Sequence, residues 1–318
     1  NSLIQLRSSE NFNALRGVGL DFICIDEFSD VDERAWFEVL RPTLSDKSKE
    51  GSALFLGTPR GYGNWSYNLY TKHETDSNWE SFQFTTLDGG QVSQNEIDQA
   101  KNDLDDRTFR QEYMASFEKY SGQIYYNFDR KENVIDSYKP KSNSIHIGID
   151  FNIDPVSAIV SELQQDNLYV YDEIVIYSSN TDELVEEINN RYSGKHIFVY
   201  PDPASKQRKT SAGGKTDLSI LKNAGYNVRV RNAHPLVRDR INAVNTKLKN
   251  AKGVRTLFIA NNCKNMIKSI ERQIYKEGTN LPDKENNYDH MNDALGYLIE
   301  FMFPIKRDFT PSPPRRFS

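Results

Sequence analysis

Two adjacent carboxylates, Asp26 and Glu27, close the short apolar run Asp21-Phe-Ile-Cys-Ile-Asp26-Glu27. Phosphoryl transfer from a nucleotide needs such a pair at the end of a buried strand: one acid holds Mg²⁺ through water, and its neighbour orients and polarises the attacking water. An acidic pair alone also caps helices. Here a second apolar run, Ala53-Leu-Phe-Leu, follows and ends in Gly57-Thr58-Pro59, which favours a nucleotide site. The phosphate cradle of such a site, Gly-x-x-x-x-Gly-Lys-Ser/Thr, is missing. Gly213-Gly214-Lys215-Thr216 fails its spacing, because Lys209 stands five residues before Gly214, and it reads as a basic loop.

Three further acids fall on different elements. Asp150 lies in Ile147-Gly-Ile-Asp150-Phe, where an uncompensated carboxylate among apolar neighbours is costly and a divalent metal is one partner that would offset it. Asp202 follows a strand in Val199-Tyr-Pro-Asp202-Pro. Asp293 lies on the last helical pattern, one turn after Asp289, beside an apolar stripe of Met291, Leu295, Leu298 and Met302. Carboxylate oxygens are the ligands of Mg²⁺ and Mn²⁺, and two such ions about 3.5–4 Å apart can clamp the attacking and leaving oxygens of a phosphodiester. Each acid taken singly also has an ordinary reading, Asp202 as a turn residue and Asp289 as a helix cap. Asp154, before Pro155, is either a fourth acid or a turn former. His290 is a ligand, a proton shuttle or a residue of the helix face.

The elements that must carry these groups alternate strand and helix, the pattern of an α/β architecture with a parallel sheet. In the first part, a strand at Asp21–Asp26 is followed by a helix over Asp32–Leu40 that Pro42 ends, then by the strand at Ala53 and helices over Gln94–Leu104 and Arg107–Phe117. Ser144–Phe151, Val156–Leu163 and Leu168–Tyr177 then read as an antiparallel meander. After it come helices near Asp182–Tyr192, Thr216–Asn223, Pro235–Asn250, Lys264–Tyr275 and Asp289–Phe303, and strands at His196–Tyr200, Asn227–Arg231 and Thr256–Ala260. A length of 318 residues exceeds one typical domain and predicts two. They are placed at 1–120 and 145–305, with a linker over 121–144 and a mobile tail over 306–318.

Hydrophobic residues at 37% and charged residues at 27% describe a soluble globular chain rather than a disordered one. No apolar run reaches the roughly 20 residues of a membrane span. Cys24 and Cys263 lie far apart and read as small core residues in a reducing compartment. The chain has neither an initiator Met nor a basic-then-apolar leader, and reads as the downstream part of a longer protein. The net charge of −5 is uneven. Residues 1–145 hold 16 Lys and Arg against 24 Asp and Glu, a net of −8, while residues 146–318 hold 24 against 21, a net of +3. Within Ser205–Arg255 there are 13 basic residues and two acids, Asp217 and Asp239, a net of +11. Such asymmetry points to a polyanion partner, against the plainer reading of a solvated basic face.

Taken in order, Arg7-Ser-Ser-Glu-Asn, Leu15-Arg16-Gly17, Gly19-Leu20-Asp21 through Asp26-Glu27, Leu56-Gly-Thr58-Pro59-Arg60-Gly61, Gly148-Ile-Asp150 and Asp289-His290-x-x-Asp293-Ala294-x-x-Tyr297 resemble the large terminase subunit of tailed bacteriophages. The resemblance runs across nearly the whole chain. It implies the downstream part of a P-loop ATPase followed by a ribonuclease H-like nuclease. In that family the ATPase drives DNA into an empty procapsid and the nuclease cuts concatemeric DNA. It further implies Asp26 and Glu27 as the Walker B pair, Asp26 on the nucleotide's Mg²⁺, Thr58 in the coupling motif, and Asp150, Asp202 and Asp293 as catalytic ligands of two Mg²⁺ or Mn²⁺ ions. The implied partners are ATP in the full-length protein, double-stranded DNA, the portal and procapsid, the small terminase subunit and further copies in a ring, in the host cytoplasm. Lys206, Arg208, Lys209 and Lys215, directly after Asp202, become the expected DNA path, with Arg229, Arg231, Arg238 and Arg240 beside them. The Walker A lysine is missing, so ATP turnover by this chain alone is not expected.

Two rivals remain at this point. A ribonuclease H-like recombination nuclease or integrase would leave the Asp26-Glu27 and Gly57-Thr58-Pro59 runs without a role. A non-catalytic fragment that binds DNA or docks on a procapsid would make the acids structural.

Overall fold

The run Phe22-Ile-Cys-Ile25 is built of residues that suit a pleated surface. The computed structural model describes residues 3–45, 51–61, 64–118, 122–151, 154–203, 216–276 and 279–305. In it the run is strand β1 (Phe22–Ile25), paired in parallel with β2 (Ser52–Phe55) in the register Phe22↔Ser52 to Ile25↔Phe55. The chain divides into two compact units, and these strands belong to the first, which gathers Asn1–Ser93, Arg110–Tyr120 and Gly278–Asn280.

One face of that small sheet is covered. Ile23 and Ile25 pack with Trp36, Leu40, Trp65 and Leu69, and Phe55 meets Trp36 edge to face at 4.7 Å. Phe22, Cys24 and Leu54 are exposed. The expectation of a fully buried strand with Cys24 in the core is thereby corrected, because the period of two turns Cys24 away from its isoleucine neighbours. Cys263 is buried as expected. The helix expected over Asp32–Leu40 winds as a π-helix over Ala35–Leu40 and continues as an α-helical turn, Arg41–Thr43, through Pro42. Pro42 does not end it, because a proline in the first turn of a helical segment gives up no needed N–H.

The second unit gathers Gln94–Phe109, Ser121–Glu277 and Leu281–Ser318. The two expected helices are Gln94–Asp103 and Asp106–Tyr113, the second belonging to this unit only through Phe109. Between them, buried Asp105 accepts from the N–H groups of Arg107 and Thr108, the Thr108 hydroxyl and the Tyr126 hydroxyl. That network binds Gln94–Phe109 into the second unit, although these residues were expected in the first. The expected linker, 121–144, contains a helical turn, Arg130–Asn133, and strand β3 (Val134–Ile135). Buried Asn133 donates to the carbonyls of Leu248 and Leu257, so most of this stretch is structural. The expected tail, 306–318, lies outside the described residues.

The main sheet of this unit adds β4 (Ser144–Asp150), β5 (Val156–Gln164), β6 (Asn167–Ile176), β7 (His196–Pro201), β8 (Asn227–Val228) and β9 (Leu257–Ala260), in the order β3-β9-β6-β5-β4-β7-β8. The β4–β5 and β5–β6 pairs are antiparallel, which bears out the meander, and the other pairs are parallel. Ile145, Ile147 and Ile149 bury one face of β4. By alternation His146, Gly148 and Asp150 take the other, over which the final helix, Asp289–Met302, lies across β4, β5 and β7. Glu173 of β6 accepts from the N–H groups of Asn265 and Met266, satisfying the start of the helix Lys264–Arg272 that packs beside the final helix. Among the described residues no helix is long and apolar enough to cross a membrane.

Gly148 sets how closely the final helix approaches. A Cβ there would fall onto the Ala294 carbonyl oxygen and lie 3.0 Å from its carbonyl carbon and 3.1 Å from Leu298 Cβ. Two of these obstacles are backbone atoms that no rotamer change can move. Gly148→Ala should therefore cost about 1–3 kcal/mol of stability, measured by urea denaturation with far-ultraviolet circular dichroism. The three tryptophans, Trp36, Trp65 and Trp79, all belong to the first unit, so the unfolding that their fluorescence reports should change little.

Candidate functional site

At the C-terminal end of β4, Asp150 is 5% exposed and accepts from His290 Nδ1 at 3.1 Å. His290 is on the first turn of the final helix, next to Asp289, which is 4% exposed. Lys284 Nζ stands 3.3 Å from Asp289 Oδ2. Asp289 Oδ1 is buried without a hydrogen-bond partner, 3.9 Å from His290 Nε2. One turn further on, Asp293 Oδ1 accepts from Arg240 Nη1 at 2.7 Å. Asp202 follows β7, and its N–H donates to the Ile149 carbonyl (3.2 Å), which holds it beside the end of β4. Its carboxylate lies 3.4 Å from His234 Nδ1.

The electrostatics are those of crowded acids. Burial pushes the Asp293 carboxyl above the usual carboxylate range; Asp150 and Asp289 add to the rise, and Arg240 and Lys284 oppose it. The hydrogen bond to Asp150 raises the His290 pKa against the opposing effect of burial. The Tyr297 phenol is raised first by burial, and Asp293, Asp202 and Asp150 all act on it as neighbouring negative charges. The structure thus brings Asp150, Asp289, His290 and Asp293 together, with Asp202 close by. It leaves Asp154 apart: that exposed acid accepts from the Ser178 N–H at 3.0 Å, the behaviour of a turn former.

As the side chains stand, no three His, Cys, Asp or Glu among the described residues converge into a metal-binding group. Each acid faces a basic partner instead. The donors are nonetheless hard oxygens, the type that suits Mg²⁺ or Mn²⁺, and the orphaned Asp289 Oδ1 is a buried acceptor that a cation would satisfy. In donor chemistry the residues fit a divalent ion.

The basic residues separate into different roles. Lys206, Arg208, Lys209 and Lys215 lie outside the described residues. Arg229 is exposed, with its guanidinium 5.9 Å from the Phe198 ring, and Arg238 is half-buried beside Asp239. Arg231 binds the Glu300 carboxylate and donates to the Glu300 carbonyl, anchoring the end of the final helix. Arg240 is buried on Asp293. For Arg240 a place on a DNA-facing surface is corrected, because its guanidinium is buried in the fold, whereas the Arg231 side chain, though paired with Glu300, is 38% exposed. The partners His234, Lys284 and Arg240 were missed as elements of the site. His234 and Arg240 carry no local signal, since each meets its acid only through tertiary structure, whereas Lys284 stands five residues before Asp289.

In the first unit, Asp26 and Glu27 are exposed just past β1, and the Glu27 N–H donates to Asp26 Oδ1. Glu27 has φ 47°, in the left-handed region that side chains rarely adopt. The segment after β2 runs close against it: the Phe28 N–H donates to the Leu56 carbonyl, the Ser29 hydroxyl donates to the Thr58 carbonyl, and a Cβ on Gly57 would lie 3.3 Å from Glu27 Cα. Thr58 is thereby held beside the acidic turn. Arg60, 5% exposed, closes the arrangement with a bidentate pair to Asp30 (3.0 and 2.8 Å) and a third bond to Glu112 (3.0 Å).

Family models match both parts of the chain: "Terminase large subunit, T4likevirus-type, N-terminal" over residues 2–132 and "Terminase RNaseH-like domain" over 147–301. The chain is 32% identical over 227 residues to the large terminase subunit of Escherichia phage T5, covering 65% of this chain and 50% of that protein. It is 26% identical over 185 residues to that of Thermus phage G20c, covering 50% and 37%. The chain thus spans about half the length, or less, of the curated relatives it matches. The crystal structure of the large terminase of a thermophilic bacteriophage superposes with a TM-score of 0.69 at 17% identity, over 92% of this chain and 71% of that one. Its complex with ADP gives 0.69 at 19% identity and the same coverage. At those identities the match shows the fold: a terminase ATPase part plus a ribonuclease H-like domain.

Arg60 should be a stability residue of the first unit. Replacing it with Met leaves Asp30 and Glu112 without their buried partner and should cost about 1–3 kcal/mol. Urea denaturation followed by tryptophan fluorescence measures this, and Arg60→Lys should recover only part of the loss, because lysine cannot reproduce the bidentate fork.

Proposed function

Because the chain belongs to the large terminase subunit family, we propose that its second unit is a metal-dependent DNA endonuclease and its first unit the downstream part of a DNA-translocating ATPase. The observation that carries the nuclease reading is the gathering of Asp150, Asp289 and Asp293, with Asp202 beside them, at the ends of β4 and β7 and the start of the final helix. A structural role for these acids would not by itself place so many in one buried spot, where each costs free energy unless it is paired.

In this reading Asp150, Asp202 and Asp293 hold Mg²⁺ or Mn²⁺, with Asp289 and His290 adjoining them. Divalent ions bound there supply Lewis-acid activation of the scissile phosphodiester and of the attacking water. His290 holds the Asp150 carboxylate through Nδ1. Lys284 and His234, both mostly exposed, stand beside Asp289 and Asp202 and are free to turn away into solvent. The basic Ser205–Arg255 segment, beginning just after Asp202, would carry double-stranded DNA to the site through phosphate contacts, with Lys206, Arg208, Lys209, Lys215, Arg229 and Arg238 as its candidate residues.

In the first unit Asp26 would hold the Mg²⁺ of ATP and Glu27 orient the attacking water, with Thr58 sensing the result through the contacts around Ser29 and Gly57. The sequence contains no Gly-x-x-x-x-Gly-Lys-Ser/Thr cradle, so this chain by itself is expected to lack significant ATP turnover. Coupling to DNA movement into a procapsid through a portal, a small subunit and a ring of copies is proposed for the whole protein.

Mn²⁺-dependent nicking of supercoiled plasmid tests the nuclease reading. Asp150→Asn, Asp202→Asn and Asp293→Asn each remove a ligand charge and should abolish nicking while the circular dichroism spectrum stays close to the parent, with Asp293→Asn also losing thermal stability because buried Arg240 loses its charged partner. Near-parental nicking by Asp150→Asn would refute the assignment.

A further inference from the structure

Among the bases that reach the acid cluster from outside the final helix, Arg240 stands apart. It leaves the helix Val237–Leu248, which packs against the final helix, and its side chain is 9% exposed, compared with 57% for His234 and 68% for Lys284. Its Nη1 donates to Asp293 Oδ1 at 2.7 Å, and its guanidinium lies 4.4 Å from the Tyr297 ring centre. The stem runs beside Gly296, where even a Cβ would be in ordinary contact, 3.5 Å from Arg240 Cβ and 3.8 Å from Cδ. Arg240 Nε is buried with no acceptor among the described residues, so Asp293 is the acceptor on which this side chain depends.

A guanidinium keeps its charge at any pH a protein survives, and packing on Tyr297 and Gly296 leaves this one no exit to solvent. Lys284 and His234 can swing away when a metal cation arrives, but Arg240 remains. It engages only one oxygen of Asp293. The other, Oδ2, takes no hydrogen bond from the described residues and belongs to a side chain that is 22% exposed. The carboxylate is therefore held in one orientation, with one oxygen anchored and the other available.

We propose that Arg240 is a positioning residue of the nuclease site, clamping Asp293 through Oδ1 so that Oδ2 is aimed at a divalent cation. The proposal rests on the metal-dependent reading above. Outer-layer partners of this kind typically change metal affinity by 10- to 100-fold when removed. The alternative is that Arg240 is only a positive charge competing with the metal. The two predict opposite signs, since losing a clamp weakens cation binding and losing a competing charge strengthens it.

Mn²⁺ affinity of the full chain, measured by isothermal titration and by electron paramagnetic resonance of free Mn²⁺, decides between them. Arg240→Met should bind Mn²⁺ about 10- to 100-fold more weakly than the parent. Arg240→Lys, which keeps the charge on a stem without the guanidinium fork, should lose several-fold and so rescue part of the effect. Circular dichroism establishes that each variant is folded. Should the Met variant fail to fold, the Lys variant decides alone, and a weakened affinity supports the clamp. Parental or tighter Mn²⁺ binding by a folded Arg240 variant overturns it. A parent that binds no Mn²⁺, or an Asp150→Asn variant that binds like the parent, would instead overturn the metal-dependent reading, and the proposal would fall with it.

Discussion

Everything at the acid cluster depends on how near the final helix can come to β4. A helix normally rests on a sheet at a distance set by side chains, and Gly148 removes the side chain at the point of contact, so the helix backbone at Ala294 lies directly on the strand. Asp293, one residue earlier on the helix, and Asp150, two residues later on the strand, are thereby brought to the same place. The antiparallel meander and the parallel β4–β7 pair fix the strand end from both sides. The Asp202 N–H, bonded to the Ile149 carbonyl, carries the chain after β7 to the same edge.

That proximity creates an electrostatic problem, and the fold's answer to it is visible. Several carboxylates share a poorly hydrated space in which an unpaired charge is expensive. Each is met by a base from a different place: His290 from the final helix itself, Lys284 from the segment before it, His234 from the segment before Val237–Leu248, and Arg240 from within that helix. The bases differ in exposure and therefore in how readily they can leave, which divides the surroundings of the cluster into a movable part and a fixed part. In the first unit the opposite solution operates. Asp26 and Glu27 stay in water, and it is the cation, Arg60, that is buried between acids to hold the neighbouring segment in place.

Much of this was legible in the sequence because it is local. The meander followed from three β-rich runs with short polar turns between them, and Asp150, Asp202 and Asp293 stood out as acids at the ends of apolar runs or on a patterned helix. What could not be read was long-range. Nothing near Arg240 in sequence distinguishes it from Arg229, yet one is buried on Asp293 and the other is exposed. Cys24 looked like a core residue because its neighbours are apolar, but a two-stranded sheet covered on one side exposes every second residue. The stretch 121–144 lacked periodicity and so resembled a linker, although its order comes from Asn133 bonding to two distant carbonyls, an interaction with no sequence period. Pro42 would ordinarily end a helix, but the π-wound turn before it supplies a context in which the helix continues.

In the proposed function the acids gathered by the Gly148 contact hold a divalent ion. Anomalous diffraction at the manganese edge from crystals of the chain soaked in Mn²⁺ tests it most directly. The expected result is an anomalous peak at the end of β4 with carboxylate oxygens of Asp150, Asp202 and Asp293 in its coordination sphere, and with Arg240 still bonded to Asp293. Mn²⁺ bound only elsewhere, or no peak at this position with the four acids still paired to His290, His234, Lys284 and Arg240, would contradict it.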